Sequence, residues 1–114
     1  MTEMDLRIAF KMDTSYYPLW AKNHDGRNMS STSFTFIKGV PTSLYGRWLE
    51  EKTGKPSKHL RDLYYKKTRE QPTWYYFRPG YYKKDVLIRD YCWWLESFIL
   101  KFKPEVVKKI LHLD

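Results

Sequence analysis

The stretch "YGRWLEEKTGKPSKHLRDLYY", residues 45–65, decides how this chain is expected to fold. Gly54 is the residue type that usually follows the last turn of a helix. Leu49 lies before this glycine and Leu60 and Leu63 lie after it, at spacings that place apolar side chains between two packed helices. The stretch therefore predicts two helices joined by a tight turn, as in a helix-turn-helix element.

The residues that precede this pair predict a small antiparallel sheet. In "DLRIAFKM" the apolar residues Leu6, Ile8, Phe10 and Met12 alternate with other residues, and a period of two is typical of a half-buried strand. The stretch "STSFTFIK", residues 31–38, alternates in the same way. We expect these two strands to pair with each other.

A hairpin and two further helices are predicted after the pair. The stretch "REQPTWYYFRPGYYKKD", residues 69–85, reads as two extended arms, Trp74–Phe77 and Tyr81–Lys84, about a Pro-Gly turn. Asp85 is expected to cap a long core helix, and Pro104 to begin the last helix. We assign four large side chains of the predicted helices to the core: Trp48, Trp94, Phe98 and Phe102.

Taken together, these patterns predict an α+β fold. A small N-terminal antiparallel sheet is followed by three to four helices with a basic aromatic β-hairpin, and a winged helix-turn-helix-like element is one candidate arrangement of the helices and the hairpin. At 114 residues the chain is expected to form a single compact domain, residues 1–114. We expect no internal repeat, and we recognise no family that covers the chain.

The cysteine content and the distribution of apolar residues indicate the cellular compartment of the protein. Cys92 is the only cysteine, so no internal disulfide can form, and we expect it to be buried. The N-terminus lacks the pattern of a secretory signal, and the apolar stretch from Val86 to Leu100 is interrupted by charged residues. A cytoplasmic protein with no membrane partner is therefore expected. The sequence does not predict the oligomeric state.

The charge of the chain is concentrated in one region. The net charge is +8, and residues 55–84 hold nine basic and only two acidic residues, a net charge of +7. The same region contains many of the aromatic rings. A basic surface with exposed rings is typical of proteins that bind nucleic acid, because lysine and arginine contact phosphates while bases stack on the rings.

We therefore predict a non-enzymatic nucleic-acid-binding protein. Two modes remain open: the second helix of the pair reads the major groove of DNA while the hairpin contacts phosphates, or the region binds single-stranded or structured RNA or DNA by stacking. The candidate binding residues are Lys58, Arg61, Tyr65, Lys66, Arg69, Trp74, Tyr76, Arg78, Tyr82, Lys83 and Lys84.

A protein partner is the alternative hypothesis. Tyr, Trp and Arg also dominate protein interfaces, so a compact basic protein could act as an adaptor or inhibitor. It would then dock on a nucleoprotein or host-defence complex, as small viral antagonists such as anti-CRISPR proteins do.

No motif predicts catalysis, a metal site or a cofactor. The Glu50-x-Lys52 spacing resembles part of a nuclease site but lies on a predicted helix without a second carboxylate. His24 and Asp25 lie in a polar loop far in sequence from the other histidines. No Cys/His set has zinc spacing.

Overall fold

The computed structural model describes residues 1–15, 36–37, 40–78 and 81–113. The side chains of residues 36, 37, 40–43, 74–78 and 81–86 are outside this description. The predicted polar loop with His24 and Asp25, and most of the predicted second strand, also lie outside the described residues.

Five helices and two short hairpins make up the described chain. The helices are α1 (Glu3–Thr14), α2 (Thr42–Thr53), α3 (Ser57–Thr68), α4 (Arg89–Phe102) and α5 (Pro104–Ile110). The hairpins pair β1 (Phe36–Ile37) with β2 (Val40–Pro41), and β3 (Thr73–Arg78) with β4 (Tyr81–Leu87). Each hairpin is a separate antiparallel pair of strands, and each one leads into a helix.

The predicted α+β fold with an N-terminal antiparallel sheet is wrong, because the N-terminal segment forms helix α1 and helices supply most of the buried side chains that the structure describes. The buried residues of α1 are Leu6, Ala9 and Phe10, at the spacing of a helix face. Ile8 and Met12, which create the apparent alternation, are 45% and 51% exposed. The apparent period of two arises from apolar residues on the exposed face of a helix. The true helical period is harder to see because one of its buried residues is the small Ala9.

A capping box fixes the start of α1. The Thr2 side chain accepts a hydrogen bond from the backbone of Asp5, and the Thr2 backbone nitrogen donates to the Asp5 carboxylate at 2.8 Å. This pattern is a helix signal in the sequence that the strand interpretation ignored. Strand β1 pairs with β2 instead of with the N-terminal segment, so the expected pairing is wrong as well.

Helix α4 lies in the core, as predicted, with Tyr91, Leu95 and Ile99 buried. It begins at Arg89, because β4 extends through Leu87, so Asp85 is not its cap. Trp48 is buried at 7% exposure, which confirms its assignment, whereas Phe102 at the end of α4 is 57% exposed. Assigning Phe102 to the core was therefore wrong.

The expectation that the chain lacks an internal repeat is also wrong. Helix α2 contains "YGRWLE" (residues 45–50) and α4 contains "YCWWLE" (residues 91–96), which share Tyr, Trp, Leu and Glu at matching positions. In both helices the Tyr and Trp rings stack at an interplanar angle of 15°, with centroids 6.2 Å apart in α2 and 6.0 Å apart in α4. The two helices therefore repeat one packing arrangement.

The helices α1 and α3 repeat in the same way. "LRIAF" (residues 6–10) matches "LRDLY" (residues 60–64), and the Thr14 and Thr68 hydroxyls donate to the carbonyl oxygens of Phe10 and Tyr64 at 2.7 and 2.8 Å. Both helices then end on a residue in the left-handed conformation.

The described residues thus form two helix–hairpin–helix units, followed by α5. The first unit is α1, β1, β2 and α2, and the second unit is α3, β3, β4 and α4. The segment that joins the two helices is longer in the first unit than in the second. The distance in sequence from α1 to its counterpart α3 therefore differs from the distance from α2 to its counterpart α4, and a search at one fixed period misses the repeat.

The two units approach closely at Gly46 of α2. A Cβ atom on this glycine would lie 2.6 Å from Leu87 Cδ1 and 3.0 Å from the Sγ of Cys92. Cys92 occupies the position in α4 that corresponds to Gly46, and it is fully buried, as predicted. The small residue thus permits the contact between α2 and the second unit.

Candidate functional site

A groove lies beside α3, in the basic region of the chain. It has a volume of about 360 Å³ and lies between α3 and the residues that lead into β3. Its lining residues are Lys58, Arg61, Asp62, Tyr65, Gln71, Pro72 and Thr73. Three of the predicted site residues, Lys58, Arg61 and Tyr65, are therefore brought together.

The helical period explains why these side chains share the groove. Arg61 and Asp62 each lie three or four positions from both Lys58 and Tyr65, so the four residues lie on one face of α3. Leu60 and Tyr64 on the opposite side are buried and hold the helix against the core. Tyr65 is 40% exposed, which leaves much of its ring accessible.

Arg61 is held in place by a buried carboxylate. Its Nε and Nη2 atoms donate to Oε2 and Oε1 of Glu50 at 3.0 and 3.2 Å. Glu50 is only 3% exposed, and it also accepts hydrogen bonds from Ser57 Oγ at 3.2 Å and from the Tyr91 hydroxyl at 2.6 Å. This network connects the wall of the groove to helices α2 and α4.

The charge state of this network follows from its contacts. The hydrogen bonds to Glu50 raise the pKa of Arg61 above its ordinary value, so the guanidinium stays charged. Burial, followed by the hydrogen bond to Glu50, raises the pKa of Tyr91, so the phenol stays protonated and acts as a donor.

A matching cluster joins Arg7 and Tyr45 of the first unit to Glu96 of the second. Arg7 donates from Nε and Nη2 to Glu96 at 3.0 and 3.1 Å, and the Tyr45 hydroxyl donates to Glu96 at 2.6 Å. Each glutamate lies in one unit and accepts a hydrogen bond from the tyrosine of the other unit. The two clusters therefore join the units reciprocally, and neither Glu50 nor Glu96 was recognised as important from the sequence.

The role predicted for Arg61 changes in the structure. We expected its guanidinium to contact phosphate, but two of its nitrogens are bound to Glu50 and its side chain is 24% exposed. Arg61 thus forms a fixed part of the groove wall, with its guanidinium paired to the carboxylate of Glu50. The sequence offers one indication of this structural role: Glu50 occupies a position at which a helix-turn-helix usually has a small residue.

The structure contains the two helices and the turn predicted for the helix-turn-helix element, while a DNA-reading role for that element stays a prediction. Helices α2 and α3 contact each other, but α2 packs most extensively against α4 of the second unit. Gly54 does lie at the turn, with a φ of +74° that suits glycine. However, the bulky Glu50 is buried at this turn and binds Arg61, a residue predicted to face DNA.

The other candidates on α3 lie outside the groove. Lys66 is exposed in the last turn of the helix, and Arg69 is the left-handed residue that ends it, with a φ of 61°. Basic side chains near a helix C-terminus also interact favourably with the helix dipole. Lys66 and Arg69 are therefore accessible, but the groove does not include them.

The remaining candidates lie on the hairpin of the second unit. The strand register places Trp74 opposite Val86, Tyr76 opposite Lys83 and Phe77 opposite Tyr82. A register shift lies between Trp74 and Tyr76. The hairpin follows the groove directly, because β3 begins at Thr73. The hairpin candidates are Trp74, Tyr76, Arg78, Tyr82, Lys83 and Lys84.

The described residues were also searched for other kinds of site. They contain no group of three His, Cys, Asp or Glu side chains arranged to hold a metal ion. Burial raises the pKa of the Cys92 thiol, so this cysteine is not activated as a nucleophile. Within the same residues, no helix has the length and apolar character needed to cross a membrane.

Comparison of the chain with protein families, with curated proteins and with solved structures gives no match. The geometry of the groove and its charge therefore carry the functional argument.

Proposed function

We propose that this protein binds nucleic acid, without catalysing a reaction, through the groove on α3 and the adjoining hairpin. The observation that carries the proposal is the arrangement of Lys58, Arg61 and Tyr65 around one groove. Lysine and arginine supply positive charge for phosphates, and an exposed tyrosine ring supplies a surface on which a base stacks.

The comparison of the two units supports this proposal. The units share their core residues, but the outer faces of α1 and α3 differ. At the positions of Lys58, Asp62 and Lys66 in α3, helix α1 has Met4, Ile8 and Met12. The charged face is therefore a property of the second unit and is not required by the repeated fold.

The fixed position of Arg61 adds to the binding. A side chain that is already held in its bound conformation loses less conformational entropy when the ligand arrives. Glu50 holds Arg61 in this way from the protein interior. Stacking of one base on Tyr65 would contribute about 1–3 kcal/mol.

Fluorescence anisotropy with labelled single-stranded DNA, duplex DNA and hairpin RNA tests the proposal. We expect the affinity to fall steeply between about 50 and 200 mM salt, because cations are released from the phosphates on binding. A groove that stacks a base favours the single strand or the loop of the hairpin over the duplex. Weak, salt-independent binding to all three would contradict the proposal.

A protein partner is the second candidate, and the outer face of α1 favours it. Met4, Ile8 and Met12 are 48%, 45% and 51% exposed and lie four positions apart along the helix. An exposed apolar stripe of this kind is typical of a protein contact surface. Docking on a nucleoprotein complex would use this stripe together with the basic groove. Replacing Met4 and Met12 with lysine would then reduce binding to the complex but not to free nucleic acid.

A further inference from the structure

We infer that the groove on α3 binds an unpaired guanine base of the nucleic-acid ligand, with Asp62 as the group that selects it. This inference rests on the proposed function and identifies which part of the ligand enters the groove. It follows from the one acidic side chain among the groove residues.

Asp62 is unexpected in a groove for phosphates. It lies four positions from Lys58 and four from Lys66, on the exposed side of α3. Among the side chains that the structure describes, Asp62 takes part in no ion pair. A carboxylate in this position repels a phosphate group, so the part of the ligand beside it must be one that donates hydrogen bonds.

The chemistry of the bases then selects guanine. An ionised carboxylate only accepts hydrogen bonds, and it has two oxygens that accept side by side. The Watson–Crick edge of guanine presents two adjacent donors, N1–H and N2–H. Adenine and cytosine present one amino donor next to an acceptor nitrogen, and uracil and thymine present one N–H between two carbonyl oxygens. Only guanine therefore matches both oxygens of Asp62 without repulsion.

The neighbours of Asp62 fit the rest of a guanine nucleotide. Tyr65 lies three positions along the same face and is exposed, so its ring can stack on the base that Asp62 holds. Lys58 lies one helical turn on the other side of Asp62 and supplies charge for the adjoining phosphate. A volume of about 360 Å³ falls at the lower end of the range of small-molecule sites, as a single base requires.

The Watson–Crick edge is available only in an unpaired base. The inference therefore applies to single strands and loops, and a free guanine nucleotide offers the same chemistry as a guanine in a strand. Binding to both forms must be compared to decide which source the groove uses.

The test measures binding of the full chain to labelled thymidine oligonucleotides with one central guanine, adenine, cytosine or thymine. We expect the oligonucleotide with guanine to bind on the order of tenfold more tightly than the other three. Asp62→Asn should abolish this preference, because an amide presents one donor and one acceptor and no longer matches the two guanine donors. The control is Glu51→Gln, which removes the same charge from an exposed position on α2 outside the groove, and should keep the preference.

The outcomes separate this inference from the proposed function. Equal, salt-dependent binding of all four oligonucleotides would overturn the guanine inference and leave the proposed function standing. Absence of binding to any oligonucleotide and to guanosine monophosphate would overturn both. If guanosine monophosphate bound in an Asp62-dependent manner while the guanine oligonucleotide did not bind, the guanine chemistry would hold and the nucleic-acid function would be contradicted.

Discussion

The hydroxyl of Tyr91 lies 2.6 Å from Oε2 of Glu50, so α4 of the second unit donates a hydrogen bond to a buried carboxylate of the first. The same relationship, with the units exchanged, joins Tyr45 to Glu96 at 2.6 Å. Both acceptors also bind an arginine, Arg61 or Arg7. Because one of these clusters forms a wall of the groove, the contact between the units also shapes the candidate site.

Removing either tyrosine hydroxyl should destabilise the protein by a similar amount. We expect Tyr91→Phe and Tyr45→Phe each to lower the free energy of unfolding by about 1.5–3 kcal/mol, since each removes a buried hydrogen bond to a charged group. Urea denaturation followed by circular dichroism measures the change. Tyr65→Phe is the control, because Tyr65 is exposed and should cost less than about 0.5 kcal/mol. A strong effect of one buried variant and none of the other would contradict the proposed equivalence of the two clusters.

Lysine should not substitute for either of the two arginines that pair with buried glutamates. A lysine keeps the charge of Arg61 but cannot donate two parallel hydrogen bonds to Glu50, so we expect Arg61→Lys to destabilise the protein by about 1–3 kcal/mol. Arg7→Lys should have a matching cost in the first unit. Lys52→Ala is the comparison, because the ion pair of Lys52 with Asp13, at 3.3 Å, is partly exposed and should contribute at most about 1 kcal/mol. Equal, small losses in all three variants would show that the buried pairs are unimportant.

Alanine at position 46 should be harmful, although it usually favours a helix. Replacing glycine by alanine in a helix normally stabilises it by about 0.8–1 kcal/mol. At Gly46 the added methyl group would lie 2.6 Å from the buried side chain of Leu87, so we expect a net loss of about 1–3 kcal/mol. The thermal unfolding midpoint measures this loss, with Ser97→Ala at an exposed position of α4 as the control. An increase in stability of Gly46→Ala would contradict the close contact at this position.

Alkaline pH should weaken the fold through the buried tyrosines. Burial, followed by the nearby charge of Glu70, raises the pKa of Tyr64 from 10.0 to about 12. Because the folded-state value is the higher one, the stabilisation that Tyr64 provides is complete below pH 10 and is lost as the pH rises through about 12. Urea denaturation at several pH values should show this decrease, and Tyr64→Phe should show a smaller one. An identical pH dependence of both proteins would contradict the prediction.

Part of the fold was predictable from local signals. The helices around Gly54 and the core helix α4 follow from helical spacing of apolar residues, and the structure contains both. Helix α1 was missed because its buried face includes the small residue Ala9, which does not stand out as apolar. The exposed Ile8 and Met12 add an alternation that is typical of a strand. Apolar residues on an exposed face mislead any method that treats them as buried.

The buried network was harder to predict than the groove. Lys58, Arg61 and Tyr65 were chosen from charge and helical spacing, and these three line the groove. Glu50 and Glu96 resemble ordinary surface residues of a helix, because an ion pair between residues distant in sequence leaves no local pattern. The helical spacing also places Asp62 on the face of α3 that carries Lys58, Arg61 and Tyr65, but the sequence gives no reason to assign this acidic residue a separate role in binding. The repeated "Y-x-x-W-L-E" was the available signal for both buried glutamates.

The most direct test of the account is the affinity of Lys58→Ala for a single-stranded oligonucleotide, compared with that of Lys108→Ala. Both variants remove one exposed positive charge, but Lys108 lies on α5, outside the groove. The account predicts that Lys58→Ala binds more weakly and that the slope of log K against log salt becomes shallower by about 0.7, while Lys108→Ala retains the affinity of the unmodified protein. Equal effects of the two variants would show that binding depends only on net charge and would contradict a site in the groove.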